Sequence, residues 1–152
     1  MGLFTVSMGA LALNASTPEH NTDMEKLTLT TEWDKTFPKS DKVDHSKVSF
    51  VNRYGITLAA DMYKPKGATG KLPAIAVCGP FGAVKEQCAG LYAQEMAERG
   101  FLTVAFDPSF TGESAGTPRY MTSPDINTED FSAAVDFLVT NPCLLYTSPS
   151  PR

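Results

Sequence analysis

Two short apolar runs, Ala74-Ile75-Ala76-Val77-Cys78 and Phe101-Leu102-Thr103-Val104-Ala105-Phe106, bracket a segment of helical periodicity, and that arrangement restricts the fold more than any other feature of the chain. A strand with almost no polar alternation has to be covered on both faces, which is the situation of strands in a parallel sheet flanked by helices. Between the runs, Ala89, Tyr92, Ala93, Met96 and Ala97 recur at helical spacing, and Arg99-Gly100 supplies a helix stop. Strand, helix, strand with a right-handed crossover is the expected unit. The chain is therefore read as an α/β fold, the first strands of a mostly parallel sheet with two flanking helices.

The second helix is expected after a long loop running from Asp107 to about Asn127. Thr128 would cap it, Glu129 and Asp130 would complement the helix dipole, and Phe131, Ala134, Val135 and Leu138 would form its apolar face. Asn141-Pro142 would end it. Upstream, Val48 and Phe50, then Asn52-Arg53-Tyr54-Gly55, then Ile56, Leu58, Ala60 and Met62 alternate with period two, as two strands joined by a turn do.

A chain of 152 residues, 42% of them hydrophobic, has the size of one domain. Its net charge of -4 comes without a basic stripe, so nucleic acid is not an expected partner. Cys78, Cys88 and Cys143 lack metal-ligand spacing, and no cofactor or metal is expected. Residues 1–23 read as a leader: Leu3 to Ala15 resembles the apolar core of a secretory signal, without a preceding Lys or Arg, and is too short to span a membrane. Export and an intracellular protein starting near Met24 both stay open. Residues 24–46 form a polar arm in which Trp33 and Phe37 could clamp onto the body, and residues 47–142 form the body itself. Residues 143–152 break the pattern, since Pro149 and Pro151 cannot sit inside a parallel strand. That tail resembles the translation of a sequencing-library adapter, which would place the loss of the natural reading frame after Pro142; the alternative is a genuine disordered tail.

Gly112-Glu113-Ser114-Ala115-Gly116 spells the Gly-x-Ser-x-Gly pattern of serine hydrolases. A nucleophile elbow needs a strand running straight into the first glycine and a helix leaving directly after the second. Here the strand run ends at Asp107-Pro108, Ser109, Phe110 and Thr111 intervene, and Thr117-Pro118-Arg119 follows, where proline works against a helix. Ser114 is therefore expected to be a loop residue and not the attacking serine.

Gly79-Pro80-Phe81-Gly82-Ala83-Val84-Lys85-Glu86-Gln87, followed by Arg99-Gly100-Phe101 and by Asp107-Pro108-Ser109-Phe110-Thr111-Gly112-Glu113-Ser114-Ala115-Gly116, resembles the N-terminal half of α/β-hydrolases of the dienelactone hydrolase and small esterase-like group. The resemblance covers roughly Lys47 to Pro142. It departs from the group's pattern at Gly79, where the group has histidine, and at Phe110 or Thr111, where it has a glycine. It implies a partial α/β-hydrolase fold cut before the nucleophile elbow, with the nucleophile, acid and histidine of a Ser/Cys-His-Asp set outside this chain. It also implies hydrolysis of ester, lactone or other small-molecule acyl bonds in the parent through a covalent acyl-enzyme, with this chain inactive. The one catalytic element implied here is the oxyanion loop, with the Phe81 backbone N–H as donor and Gly82 giving the loop its geometry. Without the resemblance, the same residues read as a plain strand-to-helix turn.

Other residues carry weaker expectations. Asp107 is expected to cap its loop, and Arg119 to pair with Asp107 or Glu113. His20 and His45 are expected to be solvated, and so are Lys85 and Glu86 at a helix start. Cys78 and Cys88 are read as core or near-surface thiols. A different class of function stays open beside the hydrolase: a small doubly wound domain binding an anionic ligand or flavin at the Gly79 to Gly82 loop and the following helix N-terminus.

Overall fold

A computed structural model describes residues 26–143. The leader and the last nine residues, on which the signal and adapter readings fall, lie outside the described residues. The element order is β1 (Val43–Val51), β2 (Thr57–Pro65), β3 (Ala74–Cys78), α1 (Cys88–Glu98), β4 (Leu102–Phe106) and α2 (Pro124–Thr140). β1 begins four residues before the pattern change at Lys47.

The four strands form one sheet in the order β1-β2-β4-β3. The expectation of a mostly parallel sheet is corrected. Among the described residues β3 and β4 are parallel, while β2 runs antiparallel to both β1 and β4. The reason is local. β1 and β2 are joined by a tight turn in which the Asn52 side-chain oxygen accepts the N–H groups of Tyr54 and Ile56, each at 3.0 Å, and Gly55 adopts a φ of 77°. So short a connection leaves only an antiparallel pairing. The strand-helix-strand unit from β3 through α1 to β4 is the parallel part.

α1 covers one face of the sheet. Ala89, Ala93 and Ala97 repeat every four residues and are all buried, so the helix backbone rides close to Tyr63 and Ala105. Gly90 allows the same closeness, since a Cβ there would stand 2.3 Å from the Lys85 carbonyl oxygen and 3.1 Å from the Phe37 ring. Phe37 joins this core from the arm. Trp33 packs edge-on against it at 5.7 Å and donates its indole N–H to the Phe37 carbonyl at 2.8 Å, which is the clamp expected of these two aromatics.

α2 covers the other face, over Phe50, Leu58, Leu102, Val104 and Phe106. It starts earlier than expected: Ser123 is the N-cap residue, with extended backbone, and Pro124 takes the first helical position, where its fixed φ is already suitable. Thr128 is therefore inside the helix, its hydroxyl donating to the Pro124 carbonyl at 2.7 Å. The buried face shifts with the start. Asp130, Ala133, Ala134 and Leu138 face the sheet, whereas Phe131 and Val135 remain largely exposed. The helix ends at Asn141, as expected.

Candidate functional site

Two loops leave the C-terminal ends of the parallel strands side by side. The first follows β3. Ala83 N–H closes a turn onto the Pro80 carbonyl at 3.0 Å, and Gly82 occupies the left-handed region with a φ of 83°. Phe81, at the tip, has 76% of its surface exposed, and its N–H has no acceptor among the described residues. The turn lines a small cavity of about 130 Å³, together with Cys78, Phe106, Thr111, Met121 and Phe131. α1 begins at Cys88, six residues beyond Gly82, so the helix N-terminus and this turn are separate features.

The second loop follows β4 and contains the pentapeptide. Ser114 is buried, donating its hydroxyl to the Asp107 carbonyl at 2.7 Å and accepting the Ala59 N–H at 2.8 Å. Its backbone continues as a seam along β2, with Ala115 N–H on the Thr57 carbonyl at 2.8 Å. Both glycines of the pentapeptide serve packing. A Cβ on Gly112 would fall 2.1 Å from Asp107 Oδ2, and one on Gly116 would fall 2.6 Å from the Phe110 ring. The spelling thus arises from a loop packed against itself, and Ser114 has neither the exposure nor the free hydroxyl of a nucleophile.

A cluster of charges joins the two loops. Lys85, expected on a solvated face, is almost completely buried; its ammonium lies 2.8 Å from Asp107, 2.8 Å from Glu113 and 2.5 Å from Glu86. Burial by itself favours the neutral amine, but the Asp107 charge and the three carboxylate hydrogen bonds outweigh it and raise the Lys85 pKa well above the usual lysine value. Glu113 is held on the other side by Lys47 at 2.8 Å and by the Thr30 N–H at 3.0 Å. Partial burial pushes its carboxyl up, yet the Lys47 and Lys85 hydrogen bonds dominate and bring it down to about 2. Asp34 is likewise lowered to about 2, against the opposing effect of burial, by Lys35 and Lys47. Asp34, Glu86 and Glu113 converge closely enough to resemble a cation site, but Lys47 and Lys85 supply the countercharge.

Asp107 caps its loop as expected: Oδ1 accepts the Lys85 N–H at 2.7 Å and Oδ2 the Glu113 N–H at 3.0 Å. Arg119 does not pair with Asp107 or Glu113. Its guanidinium instead donates to the Ser114 carbonyl, and to the Gly112 carbonyl at 2.6 Å. His45 is not solvated; it packs between Trp33 and Tyr63 and reaches Asp61 Oδ1 at 2.8 Å. His20 lies outside the described residues. Cys88 is exposed at the first position of α1. Cys78 lines the cavity half-buried, its thiol pushed up to about 11 by burial first and by the Asp107 and Asp130 charges second, so it is not a ready thiolate. One polar group has a role other than the expected complement to the helix dipole. Asp130 is fully buried under the second loop and accepts the Ser109 N–H, the Ser109 hydroxyl and the Asn52 amide, each at 2.8 Å.

A mixed sheet ordered β1-β2-β4-β3, with helices on both faces and paired loops at the strand ends, is the N-terminal architecture of an α/β-hydrolase. The chain belongs to the family described as X-Pro dipeptidyl-peptidase (S15 family), whose model matches residues 54–144. It is 64% identical over 140 residues to the uncharacterized protein PA2218 of Pseudomonas aeruginosa, covering 90% of this chain and 38% of that protein. The crystal structure of PA2218 superposes with a TM-score of 0.77, covering 78% of this chain and 37% of that one. The uncharacterized protein YcjY of Escherichia coli is 47% identical over 63% of this chain and 33% of its own length. The thiohydrolase aneE of Aspergillus aculeatus is 35% identical over 64% of this chain and 30% of its own. The chain thus spans about a third of the length of these relatives. No helix among the described residues is long and apolar enough to cross a membrane.

Proposed function

We propose that this chain contributes the oxyanion-loop half of a hydrolase that cleaves acyl bonds of small molecules through a covalent acyl-enzyme, and that it turns over no substrate by itself. The observation that carries this reading is the contrast between the two loops. Ser114 is buried with its hydroxyl engaged at both ends, while the Phe81 N–H has no acceptor among the described residues and sits on a turn that opens on the cavity. Acyl transfer builds negative charge on the carbonyl oxygen. A backbone N–H fixed in advance meets that charge without reorganising and lowers the barrier by about 3 kcal/mol per donor.

Gly82 lets the turn close behind Phe81, and Pro80 has no N–H to compete for the same oxygen. The nucleophile, its base and the acid that orients the base would come from sequence other than the described residues. Esters, lactones and thioesters are the substrate class, supported by the thiohydrolase among the relatives. The narrower likeness to dienelactone hydrolases rests on the loop residues alone.

The test has two arms. This chain is assayed against a panel of activated esters and acyl thioesters beside its Ser114→Ala variant, and PA2218 is assayed on the same panel. The chain is expected to match the buffer blank and PA2218 to turn over at least one acyl substrate. Turnover by the chain that vanishes with the alanine, or complete inertness of PA2218, would overturn the reading.

A further inference from the structure

We infer that Lys85 is a positioning residue for the Phe81 donor, clamping the Gly79 to Gly82 turn against the loop that follows β4. The inference rests on reading that turn as the oxyanion loop. Its basis is a two-point grip. One carboxylate, Asp107, accepts both the backbone N–H of Lys85 at 2.7 Å and its ammonium at 2.8 Å. Holding a residue by backbone and side chain together fixes the path of the chain there, three residues after Gly82.

The grip is tied to the sheet. Asp107 follows β4 directly and its own N–H donates to the Ala59 carbonyl at 3.0 Å, so the register of β2 against β4 reaches the turn through one side chain. The second partner, Glu113, is fixed from β1 by Lys47 and from the arm by the Thr30 N–H. Lys85 is thus the point where β1, β4 and the arm meet the turn.

A buried lysine is a poor means of adding stability, because desolvation offsets most of the Coulomb gain and an apolar side chain of similar volume often does as well. What a fully paired ammonium supplies here is one allowed arrangement of three carboxylates, and with it one position for the turn. The second residue of the pentapeptide, Glu113, therefore matters to the site through Lys85, while its neighbour Ser114 does not hydrogen-bond to Lys85.

The experiment is residue-resolved amide exchange and chemical shift on the whole chain, unaltered and as Lys85→Met and Glu113→Gln. In Lys85→Met the amide of Ala83, which bonds the Pro80 carbonyl, is expected to exchange about tenfold faster or more, and the shifts of Phe81, Gly82 and Ala83 are expected to change, in excess of any change in β1. Glu113→Gln should produce the same pattern with a smaller amplitude. A uniform rise across the sheet with no excess at Ala83 and unchanged shifts at residues 81–83 would mark Lys85 as merely stabilising and overturn the inference. Should Lys85→Met fail to fold, the unaltered chain decides: the Lys85 amide must be as protected as those of β4, and exchange at the rate of the surface loop at 66–70 overturns the clamp. The readout needs no turnover, so failure of the oxyanion reading in the ester assays and failure of the clamp are separate results.

Discussion

The Ser114 hydroxyl donates to the carbonyl of Asp107 at 2.7 Å, so the serine of the Gly-x-Ser-x-Gly pentapeptide is a rivet within its own loop. The same oxygen accepts the Ala59 N–H, which joins that loop to β2. Replacing Ser114 with alanine leaves a buried donor and a buried acceptor short of a partner, at a cost of about 1 to 3 kcal/mol each way of counting. The expected result for Ser114→Ala is a lower urea midpoint with an unchanged denaturant slope. Stability equal to the unaltered chain would mean that the hydroxyl is not held as described.

Asp130 carries a second rivet. Its carboxylate collects three donors from Ser109 and Asn52, and through them fixes the start of the second loop and the β1-β2 turn to α2. Asp130→Ala strands all three and should cost about 3 kcal/mol or more, the range for breaking a buried charged network. Asn52→Ala removes one spoke and should cost less. Urea denaturation of both variants checks the order, and equal losses would contradict a hub at Asp130.

Acid should loosen the junction between arm and loop. Glu113 and Asp34 titrate at about 2 in the folded chain, below their ordinary values of 4.5 and 3.8. Groups with depressed folded pKa values contribute stability above their unfolded pKa and lose it as pH falls through the folded one. The loss therefore belongs to the window from about 4.5 down to about 2. Glu113→Gln should be less stable than the unaltered chain at neutral pH and should show a shallower decline across that window. Parallel stability curves for the two proteins, followed by circular dichroism against pH and urea, would exclude Glu113 as a source of the acid response.

The strand-helix-strand unit was legible because a continuous apolar run and a helical repeat are properties of neighbouring residues, and β3, α1 and β4 fall where those patterns lie. The pentapeptide was legible as a decoy for the same reason, since its flanks are local. The sheet's direction was less so: the alternation in Val48, Phe50, Leu58 and Ala60 is itself the mark of an antiparallel pair, but the apolar runs of β3 and β4 dominated the reading. The start of α2 was missed because Thr128 with Glu129 looks like a helix opening, whereas Ser123-Pro124 five residues earlier is the real one. The burial of Lys85 is not legible in the sequence, which points to a solvated side chain. Its partners Asp107 and Glu113 are more than twenty residues away, and a lysine beside a glutamate before a helix carries no sign that the chain will fold over it.

Gly112 and Gly82 both hold positive φ, at 55° and 83°, yet they should answer to alanine very differently. At Gly82 a Cβ meets nothing within 4 Å, so Gly82→Ala pays only for the left-handed backbone, about 1 to 2 kcal/mol. At Gly112 the same backbone strain comes with a Cβ 2.1 Å from Asp107 Oδ2, so the carboxylate must leave the position in which it holds Lys85. Gly112→Ala is accordingly expected to cost about 3 kcal/mol or more, through overpacking and a disturbed buried charge together. Thermal or urea unfolding of the two variants side by side gives the comparison, and a Gly112→Ala protein as stable as Gly82→Ala would show that Asp107 can move aside without loss.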